Sequence, residues 1–82
     1  MPVMTAELES KLQEVVRVAL DLPSDADVTR ARQLGVPTWD SLAHVSLMLA
    51  IESEFGITVD VADQLRLTSY PAIRLYLEEQ RA

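Results

Sequence analysis

The stretch DSLAHVSLMLAIESEFG, residues 40–56, decides the fold of this chain. Between Asp40 and Gly56 it contains no proline and no other glycine, and apolar side chains recur every three or four positions. That spacing predicts an amphipathic helix over residues 41–55. Aspartate is favoured just before the first turn of a helix, and glycine just after the last. Asp40 is therefore the predicted N-cap and Gly56 the predicted end.

This helix has more apolar surface than one face of a small helical domain needs. Its apolar residues form two adjoining stripes: a first stripe of Leu47, Met48, Ile51 and Phe55, and a second stripe of Leu42, Val45 and Leu49. The second stripe begins beside Ser41 and runs on to Glu52. Two interpretations stay open. Either the helix is central and covered on most sides, or the second stripe is an exposed docking surface.

The rest of the chain predicts more helices and no strands. The predicted helices cover residues 5–20, 41–55, 59–65 and a last segment from the Thr68-Ser69 cap to about Gln80. Asp60 is the expected cap of the short third helix. The expected buried stripe of the last helix consists of Ile73, Tyr76, Leu77 and Gln80. The predicted fold is an all-α four-helix bundle, with three longer helices and one short helix.

A long connection, residues 21–40, separates the first two helices. It contains two prolines, one glycine and four aspartates, which do not fit a continuous helix. Val28, Leu34 and Val36 are its expected anchors to the core, and a short helical turn is possible between Val28 and Leu34. A connection of this length is uncommon in a compact domain unless it has a function.

Composition excludes several classes of protein. With 82 residues, we expect a single domain over residues 1–82. The absence of cysteine and the single histidine leave no metal cluster of thiolates or imidazoles. The net charge of −6 disfavours nucleic acid and favours basic partner surfaces. No run is long enough to cross a bilayer and no signal peptide is apparent, so we expect a cytoplasmic monomer.

Ser41 has a plain interpretation and two functional ones. It belongs to the helix start and has no further role, or it offers a hydroxyl for modification at the positive end of the helix. Ser41, Asp40 and His44 are also the residue types of a hydrolase triad. The Gly-x-Ser-x-Gly motif is absent, however, and the three residues come from the start of one helix. His44 is expected to be a partly exposed surface residue, and we expect no catalytic residue.

The sequence around Ser41 resembles a known family. The matching residues are Trp39-Asp40-Ser41-Leu42, followed by Val45, Leu49, Glu52 and Phe55-Gly56-Ile57. An Asp-Ser-Leu motif between a long loop and an apolar helix, in an acidic chain of this length, is similar to the acyl carrier protein family. The resemblance covers nearly the whole chain and implies the same four-helix bundle.

The resemblance also implies a prosthetic group and partners. Ser41 would carry a 4′-phosphopantetheine arm, and Asp40 belongs to the attachment motif. The implied docking residues are Leu42, Val45, Leu49 and Glu52, together with Trp39, for which packing of the loop against the helix start is the alternative. The implied partners are a phosphopantetheinyl transferase, an acyl-loading ligase or acyltransferase, and a downstream synthase or transferase. The carrier itself would not be an enzyme and would hold no metal.

Two features depart from the family pattern. His44, Ser46 and Ser53 stand where carriers of fatty acid synthesis usually have acidic residues, and Trp39 replaces a small or aliphatic residue. Both departures favour a dedicated pathway, such as polyketide, modified-lipid or other specialised-metabolite assembly. An aminoacyl or peptidyl carrier is the alternative within the same fold. A helical protein-interaction domain without a prosthetic group is the alternative from another class.

Overall fold

The computed structural model describes residues 4–81 and confirms the all-α fold. Within that range the chain forms four α-helices and a short 3₁₀ turn. The helices are α1 (Ala6–Ala19), α2 (Ser41–Phe55), α3 (Val61–Gln64) and α4 (Tyr70–Arg81), and the 3₁₀ turn is Gln33–Gly35. No helix within residues 4–81 is long and apolar enough to cross a membrane.

The core lies between the long helices and the connection that joins α1 to α2. Its fully buried side chains include Leu12 and Val16 of α1, Leu47, Met48 and Ile51 of α2, and Ile73 and Leu77 of α4. Each set recurs at helical spacing, so each long helix presents one apolar face to the others. Burial of these faces from water is the main stabilising term of the fold.

Both ends of α2 lie where the sequence predicts them. The Asp40 carboxylate accepts a hydrogen bond from the amide of Ala43 at 2.8 Å, which is the N-cap geometry. Gly56 ends the helix with a φ of +65°, in the left-handed region that side chains other than glycine rarely adopt. The first stripe, including Leu47 and Phe55, is buried. The start, the end and the buried face of α2 are therefore those predicted.

The third helix is shorter than predicted. It covers Val61–Gln64, and Asp60 is its N-cap residue as predicted, although the Asp60 side chain makes no capping hydrogen bond. Val59 lies before the helix and is buried. Its amide donates instead to the carboxylate of Glu52 at the end of α2, at 2.8 Å. Asp60 thus occupies the N-cap position through its carbonyl, which accepts from the Gln64 amide, and the Glu52 bond fixes the segment before the helix.

The fourth helix begins where the Thr68-Ser69 cap predicts. Ser69 Oγ accepts a hydrogen bond from the amide of Ala72 at 3.2 Å. The buried face differs in part from the expectation, because Gln80 is exposed and Tyr76 is only half-buried. Tyr70, at the first position of the helix, is buried instead. The core contact of α4 is therefore shifted toward its N-terminus.

A polar cluster joins α1 to α4. The Tyr70 hydroxyl donates to one carboxylate oxygen of Glu9 at 2.9 Å, and Arg74 Nε donates to the other at 2.6 Å. Partial burial works to raise the pKa of Glu9, but the hydrogen bonds from Arg74 and Tyr70 and the Arg74 charge outweigh it and hold that pKa below its ordinary value. Burial, and then the bond to Glu9, raises the pKa of Tyr70 well above its ordinary value.

The long connection is ordered by contacts with the segment before α4. The amide of Gln33 donates to the Thr68 carbonyl, and the amide of Tyr70 donates to the Ala31 carbonyl, both at 2.9 Å. These bonds form an isolated antiparallel bridge, a feature that the sequence pattern does not predict. Val28 is buried as expected, whereas Leu34 is fully exposed. The expectation that Leu34 anchors the connection is wrong, because the backbone bridge fixes this segment.

Candidate functional site

Ser41 is an exposed residue at the first position of α2. Asp40 provides the cap through its carboxylate, and its carbonyl accepts from the amide of His44 at 2.9 Å. The Ser41 hydroxyl is therefore not needed to start the helix. Within residues 4–81 its oxygen makes no hydrogen bond, and the amides of Ser41 and Leu42 have no protein acceptor. The structure thus places an accessible hydroxyl beside unpaired N–H groups at the positive end of a helix.

The second stripe is exposed along α2. Leu42 is 77% exposed, Val45 53% and Leu49 61%, whereas the adjoining first stripe is buried. The interpretation in which α2 is covered on most sides therefore does not hold for the residues that the structure describes. An apolar surface that begins beside Ser41 remains in contact with solvent, and such surfaces are typical of protein-binding sites.

Sequence reasoning missed two exposed apolar side chains at α3. Val61 lies at the start of α3 and Leu65 just after its end, and both are largely exposed. No signal in the sequence indicated this exposure, because the predicted helix over residues 59–65 was longer than the four-residue helix observed. The contact between His44 of α2 and the Gln64 carbonyl at the end of α3 holds these two helices together.

Trp39 is a core residue and a link between elements. Only 2% of it is exposed, and its indole Nε1 donates a hydrogen bond to Nδ1 of His44 at 3.0 Å. The planes of the two rings are inclined at 27°, and their centroids lie 6.1 Å apart. The expectation that Trp39 contacts partner proteins does not fit this burial. Its observed role is to pack the end of the long connection against the first turns of α2.

His44 continues this link to α3. Its Nε2 lies 2.8 Å from the carbonyl oxygen of Gln64. Because Nδ1 accepts from Trp39, we assign the ring proton to Nε2, which donates to Gln64. His44 is half-buried, as expected of a partly exposed residue, but both of its ring nitrogens are hydrogen-bonded within the chain. It also offers no free nitrogen to take a proton from Ser41, which argues against the hydrolase triad.

Glu52 has a structural role that the sequence did not indicate. One of its carboxylate oxygens accepts from the Val59 amide, and the residue is half-buried. The Glu52 carboxylate is therefore held in part by a bond within the chain. Its expected role in partner binding depends on what this internal bond leaves accessible. The neighbouring Glu54 is exposed and lies 3.9 Å from Lys11 of α1.

No cluster of side chains within residues 4–81 has the composition of a metal site. A different kind of group fits the observed geometry at Ser41. A phosphate ester on the exposed oxygen would lie near the free amides of Ser41 and Leu42, which favour an anion. The residues present therefore fit a prosthetic group that is attached through phosphate.

Comparison with known proteins finds similarity to an acyl carrier protein. The chain is similar to acyl carrier protein 2, chloroplastic, from Spinacia oleracea, with 32% identity over 63 residues. The aligned region is 77% of this chain and 48% of that protein, so the chain spans about half the length of the curated relative. No family model matches the chain. The similarity suggests the acyl carrier protein family and agrees with the helical fold.

Proposed function

We propose that this chain is an acyl carrier protein that holds acyl groups as thioesters on a 4′-phosphopantetheine arm attached to Ser41. The observation that carries this proposal is the exposed and unbonded hydroxyl of Ser41, at a helix start that Asp40 caps independently. The similarity to a plant acyl carrier protein supports the same reading. Residues 1–82 would form one carrier domain without catalytic activity of its own.

The chain's own residues prepare the attachment site. Asp40 fixes the first turn of α2, so that Ser41 is held at a defined position while its side chain stays accessible. The amides of Ser41 and Leu42 and the helix dipole stabilise negative charge at the Ser41 oxygen. When attached, the arm supplies the thiol that forms the thioester, and the chain itself contains no cysteine that would compete.

The second stripe is the proposed docking surface for the enzymes that load and unload the carrier. These are a phosphopantetheinyl transferase, an acyl-loading ligase or acyltransferase, and a downstream synthase or transferase. Leu42, Val45 and Leu49 are the proposed apolar contacts, since they are exposed and continuous with Ser41. Glu52 contributes charge through the carboxylate oxygen that does not bind Val59.

Of the residues that depart from the usual family pattern, only some bear on the pathway. Trp39 and His44 both depart from the usual family pattern, and they form one hydrogen-bonded unit that packs the loop on α2. Their presence is explained by packing and carries no information about cargo. Ser46 and Ser53 are exposed positions without acidic side chains on α2, and they still favour a carrier of a dedicated pathway. An aminoacyl or peptidyl carrier would use Ser41 in the same way.

The proposal is tested by loading the protein in vitro. The purified chain is incubated with coenzyme A and a broad-specificity phosphopantetheinyl transferase, and the intact mass is recorded. We expect one phosphopantetheine group on the wild-type chain and none on Ser41→Ala. A wild-type chain that is folded and gains no mass overturns the proposal.

The exposed second stripe also fits an interaction domain without a prosthetic group, and a pair of variants separates the two functions. Ser41→Ala removes the attachment oxygen but leaves the stripe intact. Val45→Glu puts a charge on the stripe but leaves Ser41 intact. A carrier needs both residues for activity in its host. An interaction domain tolerates Ser41→Ala and fails only with Val45→Glu.

A further inference from the structure

A surface groove on the long connection carries the opposite charge to the rest of the chain. It has a volume of about 730 Å³ and is formed by residues 30–36 together with Thr68. Arg30 and Arg32 both line it and are both exposed. In a chain of net charge −6, two arginines on one groove form a local cationic surface.

These arginines differ from the other basic side chains in residues 4–80. Four basic side chains each lie at ion-pairing distance from a carboxylate, namely Lys11, Arg17, Arg66 and Arg74. Arg30 and Arg32 have no such carboxylate within the described part of the chain. The carboxylate of Asp27, close in sequence, accepts hydrogen bonds from the backbone and hydroxyl of Thr29 instead. Both guanidinium groups are therefore available to an anion from outside.

The groove also carries an exposed apolar side chain. Leu34 lines it and is fully exposed, and the half-buried Val36 lies at its end. The backbone bonds of Gln33 to Thr68 and of Tyr70 to Ala31 hold the groove in place. A ligand that matches it needs carboxylate or phosphate oxygens for the arginines and an apolar group for Leu34.

The backbone of the groove argues for a protein ligand over a free phosphate. Sites for phosphate usually present several free amides toward the anion. Here the amides of Ala31, Gln33, Gly35 and Val36 already donate within the chain. These are four of the seven amides in residues 30–36, so recognition rests mainly on the long, exposed arginine side chains, which suit carboxylates presented on the surface of another protein.

We infer that this groove, called the arginine groove below, docks an acidic segment of a partner protein. Carboxylates of that segment pair with Arg30 and Arg32, and an apolar side chain covers Leu34. The arginine groove thus favours an acidic partner, whereas the acidic surface of a carrier favours basic partners. This interface does not depend on modification of Ser41, so it is independent of the proposed carrier function.

The inference is tested by nuclear magnetic resonance on the unmodified ¹⁵N-labelled chain. The probe is a capped hexapeptide in which glutamates alternate with leucines, and its matched control has lysines in place of the glutamates. We expect the acidic peptide to shift the amides of residues 31–36 and of Thr68, and the lysine peptide to leave them unchanged. Because the contact is electrostatic, we expect it to weaken with added salt.

A double variant and a control test whether the acidic peptide binds at the two arginines. Arg30→Ala with Arg32→Ala is expected to weaken binding of the acidic peptide about tenfold, the loss expected for two exposed charge pairs. Arg66→Ala is the control, because Arg66 is also exposed but lies outside the groove and pairs with Asp63. We expect it to bind the peptide like the wild type.

Several results overturn the inference. One is that the acidic peptide causes no amide shifts at millimolar concentration. Another is that the shifts persist in the double variant. A third is that inorganic phosphate alone causes equal shifts. The last result would mean a site for free anions. Amide shifts at the groove that appear when the chain alone is concentrated would mean that a second copy is the occupant.

Discussion

Trp39 Nε1 donates a hydrogen bond to His44 Nδ1 at 3.0 Å, and this bond connects the long loop to α2. Through its other ring nitrogen, His44 binds the Gln64 carbonyl at the end of α3. Three elements therefore meet through two side chains within a few residues of Ser41. The start of α2 is held by this link as well as by the Asp40 cap.

Loss of this link is expected to lower the free energy of unfolding. Trp39→Phe keeps an aromatic ring but removes the indole donor, and we expect a loss of about 1 kcal/mol. His44→Ala leaves the buried indole N–H and the Gln64 carbonyl unpaired, so we expect a larger loss of about 1–3 kcal/mol. Urea denaturation of both variants gives the values.

The double variant tests whether the two residues act together. Since Trp39→Phe removes an interaction that His44→Ala also removes, their losses are expected to fall short of additivity by about 0.5 kcal/mol or more. Additive losses would mean that the hydrogen bond contributes nothing. Ser53→Ala, an exposed change on the same helix, is the control and is expected to leave stability unchanged.

The two stripes of α2 are expected to respond differently to the same substitution. Leu47→Ala opens a cavity in the core and is expected to cost about 3 kcal/mol of unfolding free energy. Leu49→Ala changes a side chain that is 61% exposed and is expected to alter stability by less than about 0.5 kcal/mol. Equal losses in chemical denaturation would contradict an exposed second stripe.

The Glu9 cluster predicts a loss of stability in acid. The pKa of Glu9 in the folded chain lies below its ordinary value of 4.5. Its contribution is therefore complete above the unfolded pKa and is lost as the pH falls through the folded pKa. Because Arg74 is partly exposed, we expect this contribution to be only about 1 kcal/mol.

Glu9→Gln tests this pH dependence. The variant is expected to be less stable than the wild type near neutral pH and to match it once the pH is below the folded pKa. Urea midpoints measured across the acid range give the comparison. Glu7→Gln, an exposed change in the same helical turn, controls for the helix dipole. A deficit in Glu9→Gln that stays constant with pH would contradict the prediction.

The features of α2 that depend on residues close together in the sequence could be predicted. Asp40, Gly56 and the apolar spacing between them are local signals, and they fix where the helix begins, where it ends and which stripe is buried. Whether the second stripe is covered depends on how α1 and α4 pack, so the pattern left two interpretations. Ser41 was found because its motif is contiguous.

The contacts between distant residues could not be predicted. The His44 contact with Gln64 spans 20 residues and uses a backbone carbonyl, which carries no side-chain signal. The Glu52 carboxylate binds a backbone amide across a turn, and the Leu34 segment is fixed by a backbone bridge. Trp39 had two interpretations, loop packing or partner contact, because its partner His44 is recognised only in the folded chain.

The attachment of phosphopantetheine to Ser41 is tested most directly by intact mass after incubation with coenzyme A and a phosphopantetheinyl transferase. We predict that the wild type and Ser46→Ala, an exposed serine control on the same helix, each gain one phosphopantetheine group. Ser41→Ala, which keeps the Asp40 cap, is predicted to gain none while its helical circular dichroism stays the same. A folded wild type without added mass, or a Ser41→Ala chain that still gains the group, would contradict the assignment.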